Sequence, residues 1–452
     1  MRNLKFFNLS AEQVSYVDSS SYVEPYVGFV VENGLSYYNV VPKSIIRLVI
    51  SGNESFDKYL DEDYINTSVF NLTDGEHLLD MSEYPFGISR MTQAGTNGIS
   101  EVDLSKYRGD KIYPYMFESV NSIYDITIPD SVISIGKYAF TDCSSLSTVM
   151  MGNNVSSIGE YSFYQCVNLS NIDLSTSLKS LGNYSFYGCK RLPLIILPDG
   201  LEHIGDYAFA ECSEFASINI PESVTEIGDG AFMNLPLLSY IVIPNNVKVL
   251  KTYLFGSCSA LSRVTLPEGL EEIGNSVFIG CSSLENIVIP DSVRVIGDEA
   301  FNRCKNLTSI TLSEGLERIG ASCFRGCNSL RDIIIPNSVT SIGASIFNEC
   351  FNLTSVTLSD NITEIKRNSF NNCQNLTNIV IPSGVTKIGD IAFNSCPSLT
   401  SVTVNAIEPP VLGNSVFDDN AIVEIRVPSD SVVKYKQDNK WGIYGDKIKA
   451  IE

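Results

Sequence analysis

Apolar side chains recur at one fixed interval through most of the chain. Phenylalanine stands at thirteen positions, each 23 residues after the last, from Phe117 to Phe393 without an insertion or deletion. Cysteine follows three places later in eleven of these repeats, with Val120 and Leu235 as the exceptions, and an apolar residue, usually leucine, follows three places after that. A pattern this regular indicates one structural unit copied many times.

The order of residues within the unit predicts its local structure. Most copies follow the pattern L-x-x-[IV]-x-[IL]-P-x-x-[VL]-x-x-I-G-x-x-A-F-x-x-C. Alternating apolar positions rich in β-branched residues predict a short strand, and the proline with the Asp, Asn, Ser or Gly after it predicts a turn. The Ile-Gly pair predicts a second corner, where φ is positive or another backbone comes close. The spacing of Phe, Cys and Leu predicts a short 3₁₀ or helical turn.

Such a unit has one apolar face and buries it only by stacking on its neighbours. We therefore expect a β-rich solenoid of about 13 coils over residues 105–404, with its strands paired in parallel. Residues 1–104 lack the period, and their alternating pattern predicts a small β-rich domain or cap. Residues 405–452 are expected to form a C-terminal cap, because the last coil otherwise exposes its core.

A finer period runs through the second half of the array. The outward residue between the two apolar strand positions alternates between an aliphatic side chain and threonine, as in Val242, Thr265, Val288, Thr311 and Ile334. The copied unit in this half is therefore a pair of 23-residue coils, which together are 46 residues long.

The repeat resembles the 23-residue leucine-rich repeat of the treponemal, or BspA-like, class. The last segment is similar to the C-terminal cap of that family, with Phe417, a strand before Pro428, and an amphipathic stretch containing Tyr435 and Trp441. The resemblance implies a leucine-rich-repeat solenoid with short parallel strands on its concave face and turns with short 3₁₀ or helical segments on its convex side. It also implies a bacterial surface or secreted protein that attaches to host matrix, host cells or other bacteria.

Charge narrows the range of partners. The chain has 31 Lys and Arg against 52 Asp and Glu, a formal net charge of −21, which would repel nucleic acid and anionic membranes. No stretch approaches the roughly 18 consecutive apolar residues that insertion into a membrane requires. No export signal is visible at the N-terminus. A cell-surface or secreted location therefore follows from the family resemblance alone, and a cytoplasmic location is the alternative.

Eleven of the twelve cysteines lie on the repeat. Stacked Cβ atoms one strand spacing apart, roughly 4.8 Å, are farther from each other than the roughly 3.8 Å that a disulfide prefers. We therefore predict buried free thiols that pack as small apolar groups. Cys323 occupies the small-residue position before Phe324, whereas Cys327 belongs to the cysteine column. We therefore interpret their closeness in the sequence as coincidental and not as the sign of a redox pair.

Residues that commonly perform catalysis are scarce. The only histidines, His77 and His203, fall in different regions, and no glycine-rich phosphate-binding motif occurs. We predict no enzymatic activity, no cofactor and no metal site, with an activity housed in residues 1–104 as the weaker alternative. An acidic column after the strand, which includes Asp130 and Asp291, suggests Ca²⁺ between coils. Asn153 fills the same position, however, so stabilisation of the turn is favoured.

A binding surface is expected on the strand face, which lines the concave side of a curved solenoid. Its outward positions are mostly small or aliphatic, and the charged and aromatic exceptions cluster in the middle of the array: Tyr240, Arg263, Glu285, Asn286, Arg331 and Asp332. Tyrosine and arginine are common interface anchors. The predicted function is non-enzymatic recognition or adhesion. The predicted partner is a protein or a glycan, such as a component of the host extracellular matrix. An intracellular scaffold without an adhesive role is the alternative, and a solvated face without a partner is an equally open interpretation of the patch.

Overall fold

Each repeat forms one turn of a parallel β-solenoid of about 15 turns, which confirms the predicted fold class. The computed structural model describes residues 101–451, except residues 106, 122 and 418–420, together with the backbone of four strands between residues 26 and 80. The chain divides into two compact units, Met1–Ser223 and Val224–Glu452, which we call the first and second units.

The longer strand of each turn is the predicted one. Its central residue points inward and is buried, or half-buried at Val264 and Ile310, while the residues on either side are largely exposed, as alternation requires. Neighbouring strands pair in parallel at a shift of 23 residues, such as Ile241 with Val264. These long strands are Glu101–Asp103, Asp125–Ile128, Thr148–Met151, Asn171–Asp173, Leu194–Ile196 and Ser217–Asn219 in the first unit, and Tyr240–Val242, Arg263–Thr265, Asn286–Val288, Ser309–Thr311, Asp332–Ile334, Ser355–Thr357, Asn378–Ile381, Ser401–Val404, Glu424–Val427 and Ile448–Ala450 in the second.

A second ladder of two-residue strands lies where the sequence predicted only a corner. The isoleucine of each Ile-Gly pair points inward, and the residue before it pairs with the same position in the next turn, such as Ser157 with Ser180. These short strands are Lys111–Ile112, Ser134–Ile135, Ser157–Ile158, Ser180–Leu181 and His203–Ile204 in the first unit, and Glu226–Ile227, Val249–Leu250, Glu272–Ile273, Val295–Ile296, Arg318–Ile319, Ser341–Ile342, Glu364–Ile365, Lys387–Ile388 and Val411–Leu412 in the second.

The segment around each phenylalanine is a run of turns rather than the short 3₁₀ or helical turn predicted from its spacing. Alternate N–H groups donate to the next coil, as Phe140 donates to the carbonyl of Ser162 at 2.7 Å. The intervening N–H groups close turns within the coil, as Cys143 donates to the carbonyl of Phe140 at 3.3 Å. Residues two before and two after each phenylalanine have positive φ, for example Tyr138 at 58° and Asp142 at 56°. A helix excludes this left-handed conformation.

The glycine of the Ile-Gly pair is required by close approach and not by its φ angle. Only Gly188, Gly230, Gly280 and Gly326 have positive φ among the glycines described, and none of them belongs to that column. A Cβ atom on Gly343 would overlap the backbone nitrogen of Ala321 in the preceding coil. The prolines are also positioned as predicted, since most turns after a long strand close on a proline carbonyl, such as Val132 N to Pro129 O at 3.0 Å. Three of these turns close instead on a serine carbonyl at the same position of the repeat, that of Ser175, Ser313 or Ser359.

The phenylalanine column forms the centre of the core. Its rings are fully buried and stack at centroid distances of 4.9 to 5.5 Å from Phe117 to Phe209 in the first unit. In the second unit the distances are 5.0 to 5.7 Å from Phe232 to Phe393. The fixed spacing in the sequence therefore corresponds to one continuous aromatic stack in each unit.

In residues 1–100 the structure describes the backbone of four strands. Tyr26–Glu32 pairs antiparallel with Leu35–Val40. Ile45–Ser51 pairs in parallel with Gly75–Asp80 and with Glu101–Asp103. The predicted β-rich character of this region agrees with these strands, while its boundary at residue 104 stays a prediction.

The end of the chain continues the long-strand ladder for two more turns, through Glu424–Val427 and Ile448–Ala450. Between these strands lie the 3₁₀ helix Ser429–Ser431, the α-helix Val432–Gln437 and the 3₁₀ helix Trp441–Lys447. Tyr435 and Trp441 are fully buried, and each donates a hydrogen bond to a carbonyl of the preceding coil, Ala406 and Pro410, at 2.8 Å. These turns are why the solenoid has more than the 13 coils counted from the sequence.

The close approach at the glycine column gives a test of the stacking. We expect Gly343→Ala to lower the free energy of unfolding by about 1–3 kcal/mol, because the added methyl group forces two coils apart. Gly445→Ala is the matched control, since a Cβ atom there meets nothing within 4 Å. Urea unfolding of both variants measures the difference, and equal stabilities would contradict the assigned role of the glycine column.

Candidate functional site

All six predicted binding residues are exposed, and they lie in, or directly before, the long strands of the second unit. Tyr240 and Arg263 are register partners on adjacent strands, and Asn286 follows in the next coil at the same position. Asp332 occupies that position two coils further on, with Ser309 between them. Glu285 and Arg331 precede Asn286 and Asp332 directly, so the six side chains span five consecutive coils rather than one compact cluster.

Exposed aliphatic side chains accompany this patch. Val242, Val288, Ile334 and Val380 recur at every second coil, with exposed fractions of 50%, 67%, 69% and 48%. The sequence-based patch did not include them, although the 46-residue alternation placed them on the outward side. We call the six predicted residues together with these four aliphatic residues the strand-face patch.

The backbone beneath the strand-face patch is held by hydrogen bonds from the following coil. The carbonyl of Glu285 accepts bonds from both the N–H and the hydroxyl of Thr308 at 2.9 Å. The carbonyl of Arg331 accepts the same two bonds from Thr354 at 2.8 Å. A partner would therefore meet a preorganised surface, on which binding orders side chains but little backbone.

The thiols of the cysteine column have a hydrogen-bonding role that the sequence did not reveal. All twelve cysteines are buried free thiols, in agreement with the prediction. In all eleven column positions, Sγ donates to the carbonyl of the phenylalanine 26 residues earlier, in the preceding coil, at 3.0 to 3.2 Å. The Phe163 carbonyl, for example, accepts both the Cys166 N–H of its own coil and the Cys189 thiol of the next. The two acceptor sites of that buried oxygen are thus filled.

Burial keeps the thiols from Cys166 to Cys396 protonated and unreactive. It raises the pKa of Cys212, Cys258 and Cys350 from 9.0 to about 12. The pKa values of Cys323 and Cys327 are also well above the ordinary range, chiefly because both side chains are buried. A reactive cysteine needs a lowered pKa and access to solvent, so the structure supports the interpretation of this pair as two independent core residues.

At two positions, side chains of the acidic column bond to the turn of the next coil. The carboxylate of Asp130 accepts the N–H of Asn153 at 2.7 Å, and the side chain of Asn337 accepts the N–H of Asp360 in the same way at 2.9 Å. Carboxylate and amide are interchangeable for this bond, which explains their alternation in the column. Among the side chains that the structure describes, no group of three His, Cys, Asp or Glu is arranged to hold a metal ion. His203 lies exposed on a short strand, and the side chain of His77 lies outside the described residues.

The family profile described as "BspA type Leucine rich repeat region" matches six copies, over residues 110–236, 191–308 and 294–424. The chain belongs to this BspA-type leucine-rich repeat family. The match covers well over half of the chain and includes the whole strand-face patch. Proteins of this family are typically protein-interaction modules, and the leucine-rich-repeat solenoid is generally a non-enzymatic binding scaffold.

The chain is similar to solved structures of leucine-rich repeat proteins. A leucine-rich repeat protein from Bacteroides ovatus is 29% identical, with a TM-score of 0.64 over 76% of this chain and 88% of that one. The Treponema pallidum leucine-rich repeat protein is 31% identical over 38% of this chain and 82% of its own, with a TM-score of 0.36. A leucine-rich cell surface protein from Faecalibacterium prausnitzii is 26% identical over 71% and 83%, with a TM-score of 0.39.

No curated protein matches the chain. In the part of the chain that the structure describes, no helix is both long enough and apolar enough to cross a membrane.

The raised thiol pKa values predict a steep loss of stability in alkali. A folded-state pKa above the unfolded value of 9.0 contributes stability that is complete below pH 9 and disappears as the pH rises towards 12. A tenfold change in the acid dissociation constant of one thiol corresponds to about 1.4 kcal/mol, and the buried thiols act together. Denaturant unfolding at a series of pH values should therefore show a steep decline between about pH 9 and pH 11.

Cys281→Val is the matched variant for this experiment, because it keeps the core apolar and removes one titrating group. Above pH 9 its free energy of unfolding should fall less steeply than that of the wild type, and the difference in slope should be about 1.4 kcal/mol for each pH unit. Thiolate absorbance that appeared while the protein was still folded would contradict the prediction.

Proposed function

We propose that this protein is a non-enzymatic recognition or adhesion module that binds a host or cell-surface macromolecule, a protein or a glycan, through the strand-face patch. The observation that supports the proposal is the exposure of large side chains at the outward positions of the long strands. Tyr240 is 51% exposed and Ile334 is 69% exposed, although every second position of the same strands is buried. Exposed apolar side chains gathered on one face and bordered by charged ones are typical of interaction surfaces.

The composition of the patch fits a macromolecular partner better than a small molecule. Tyr240, Arg263 and Arg331 belong to the residue types that most often anchor interfaces. They are spread over successive coils on an open ladder, so they favour a ligand that is itself extended along the strand face. Their charges are mixed, with Glu285 and Asp332 beside the arginines, which gives specificity by complementary charge rather than general attraction.

Location is part of the same proposal. The family resemblance supports a location of the protein on the surface of a bacterium or in its surroundings, where an adhesive patch can contact its ligand. The intracellular scaffold remains the alternative, and identifying the start of the natural protein, with or without an export signal, distinguishes the two. The weaker alternative, an activity housed in residues 1–104, concerns side chains that lie almost wholly outside the described residues.

The double variant Tyr240→Ala/Arg331→Ala tests the proposed surface. Truncating two interface anchors should weaken binding at least tenfold, since each typically contributes more than about 1 kcal/mol. Immobilised wild-type protein is first used to capture binders from panels of purified host matrix proteins and glycans, and the affinity of each binder is then measured for the double variant.

Tyr253→Ala provides the control, because Tyr253 is 39% exposed in the same unit but lies in the turn segment before Phe255, away from the long strands. Its affinity for each binder should equal that of the wild type. Equal binding by wild type and double variant, with both proteins folded by circular dichroism, would exclude the strand-face patch as the binding surface.

A further inference from the structure

A second surface of different chemistry lies on the turn segments of the first unit. Five tyrosines two residues before successive phenylalanines, Tyr115, Tyr138, Tyr161, Tyr184 and Tyr207, stack with centroid distances of 4.7 to 5.0 Å and interplanar angles of 4° to 16°. A second row, Tyr164 and Tyr187, stacks at 5.1 Å and meets the first row at tilted contacts of 5.4 and 5.7 Å. We call these seven residues the tyrosine face.

The backbone does not require tyrosine at these positions. All five residues of the longer row have positive φ, between 53° and 61°, which is unfavourable for a bulky side chain. The same position in the second unit has the same conformation with Ser276, Ser322 and Ser345, at 54° to 57°. Tyrosine is therefore a feature of the surface of the first unit, and not a consequence of the solenoid turn.

The tyrosine face is strongly acidic. The five turn segments that carry it, from the residue before each tyrosine of the longer row to the second residue after each phenylalanine, contain one lysine, Lys137, and five carboxylates: Glu118, Asp142, Glu160, Asp206 and Glu211. Burial, with smaller contributions from neighbouring groups that include these acids, raises the pKa of Tyr161, Tyr184 and Tyr187. Protonated tyrosine hydroxyls and carboxylates thus lie close together on this surface.

The one cation in these segments shows what such a surface attracts. The Lys137 ammonium pairs with the Glu160 carboxylate at 2.9 Å and also lies 5.3 Å from the centroid of the Tyr138 ring. One positive group thus contacts a carboxylate and an aromatic ring together. Arginine suits such a surface better than lysine, because its planar guanidinium forms paired bonds to carboxylates and has further donors for the tyrosine hydroxyls.

We propose that the tyrosine face is a docking surface for an arginine-rich segment of a partner protein. Charge complementarity selects a basic partner, and the tyrosine hydroxyls beside carboxylates select arginine, which has more donors than lysine to reach both. The stacked rings are already held in place by their neighbours, so a partner gains contact area at little entropic cost. This surface lies in a different unit from the strand-face patch, and the proposal is independent of it.

Peptide binding to the full chain tests the proposal. A fluorescently labelled nona-arginine peptide should bind the wild type more tightly than nona-lysine, which has the same charge. The Tyr161→Ser/Tyr184→Ser variant should bind nona-arginine about tenfold more weakly, and its preference for arginine over lysine should disappear. Serine is chosen because it occupies this position, with the same φ, in the second unit.

Three further variants complete the design. Tyr253→Ser removes the isolated tyrosine of the same column in the second unit, and Tyr240→Ala/Arg331→Ala removes anchors of the strand-face patch, so both should bind nona-arginine as the wild type does. The Asp206→Asn/Glu211→Gln variant keeps every tyrosine, and it should bind nona-arginine and nona-lysine more weakly by the same factor. If the serine variant fails to fold, two measurements still decide the result. They are the affinities of the Asp206→Asn/Glu211→Gln variant and the ratio of the wild type's affinities for nona-arginine and nona-lysine.

Equal binding of nona-arginine and nona-lysine to the wild type would overturn the proposal, because it would indicate attraction by net charge alone. Unchanged affinity for nona-arginine in the folded serine variant would also overturn it. A neutral glucan that bound the wild type and not the serine variant, while nona-arginine bound neither, would replace the proposed partner with a carbohydrate.

Discussion

Hydrogen bonding between consecutive coils is the constraint on which the rest of the structure depends. Every side of the coil takes part: the long strands, the short strands, the turn segments and the turns after proline. Within the array from Phe117 to Phe393, backbone bonds between coils join residues 22 to 24 positions apart. An inserted residue there would leave part of one coil out of register with its neighbours. Unpaired buried polar groups are costly. This accounts for a 23-residue period that runs from Phe117 to Phe393 without a gap.

The parts of the fold that could be predicted are those whose interactions produce a periodic pattern in the sequence. The long strands alternate inward and outward residues, so their position and parallel pairing could be predicted from residues such as Ile241 and Ile310. A two-residue strand has no alternation, and the short ladder at Ser157–Ile158 was therefore interpreted as a corner. The left-handed positions were missed because Tyr138, Ser276 and Glu299 share one conformation without sharing a residue type. The burial of the thiols was evident, but their acceptor belongs to another coil, 26 residues away.

The candidate surface was predictable to the same extent. Alternation on the long strands assigns Tyr240 and Asp332 to the exposed side, and the structure places both there. Their grouping with Val288 and Ile334 was less evident, because aliphatic residues within a strand resemble core residues until their exposure is known. The repeat itself does not indicate what this surface would bind, since outward side chains do not contribute to the stacking that keeps the period.

The separation of inward and outward columns is what permits one coil design to present different surfaces. At the position two residues before phenylalanine, the first unit has tyrosines and the second has mostly small or polar residues, on a backbone whose φ stays near the same value. The long strands show the same freedom, because residues as different as Arg263, Asn286 and Asp332 occupy one outward column above a constant inward row of Ile and Val. Outward substitutions change recognition at little expense to the core, whereas inward ones must fit the coils on both sides. The outward positions are therefore free to differ from coil to coil, and the two surfaces differ in chemistry although the coils beneath them are alike.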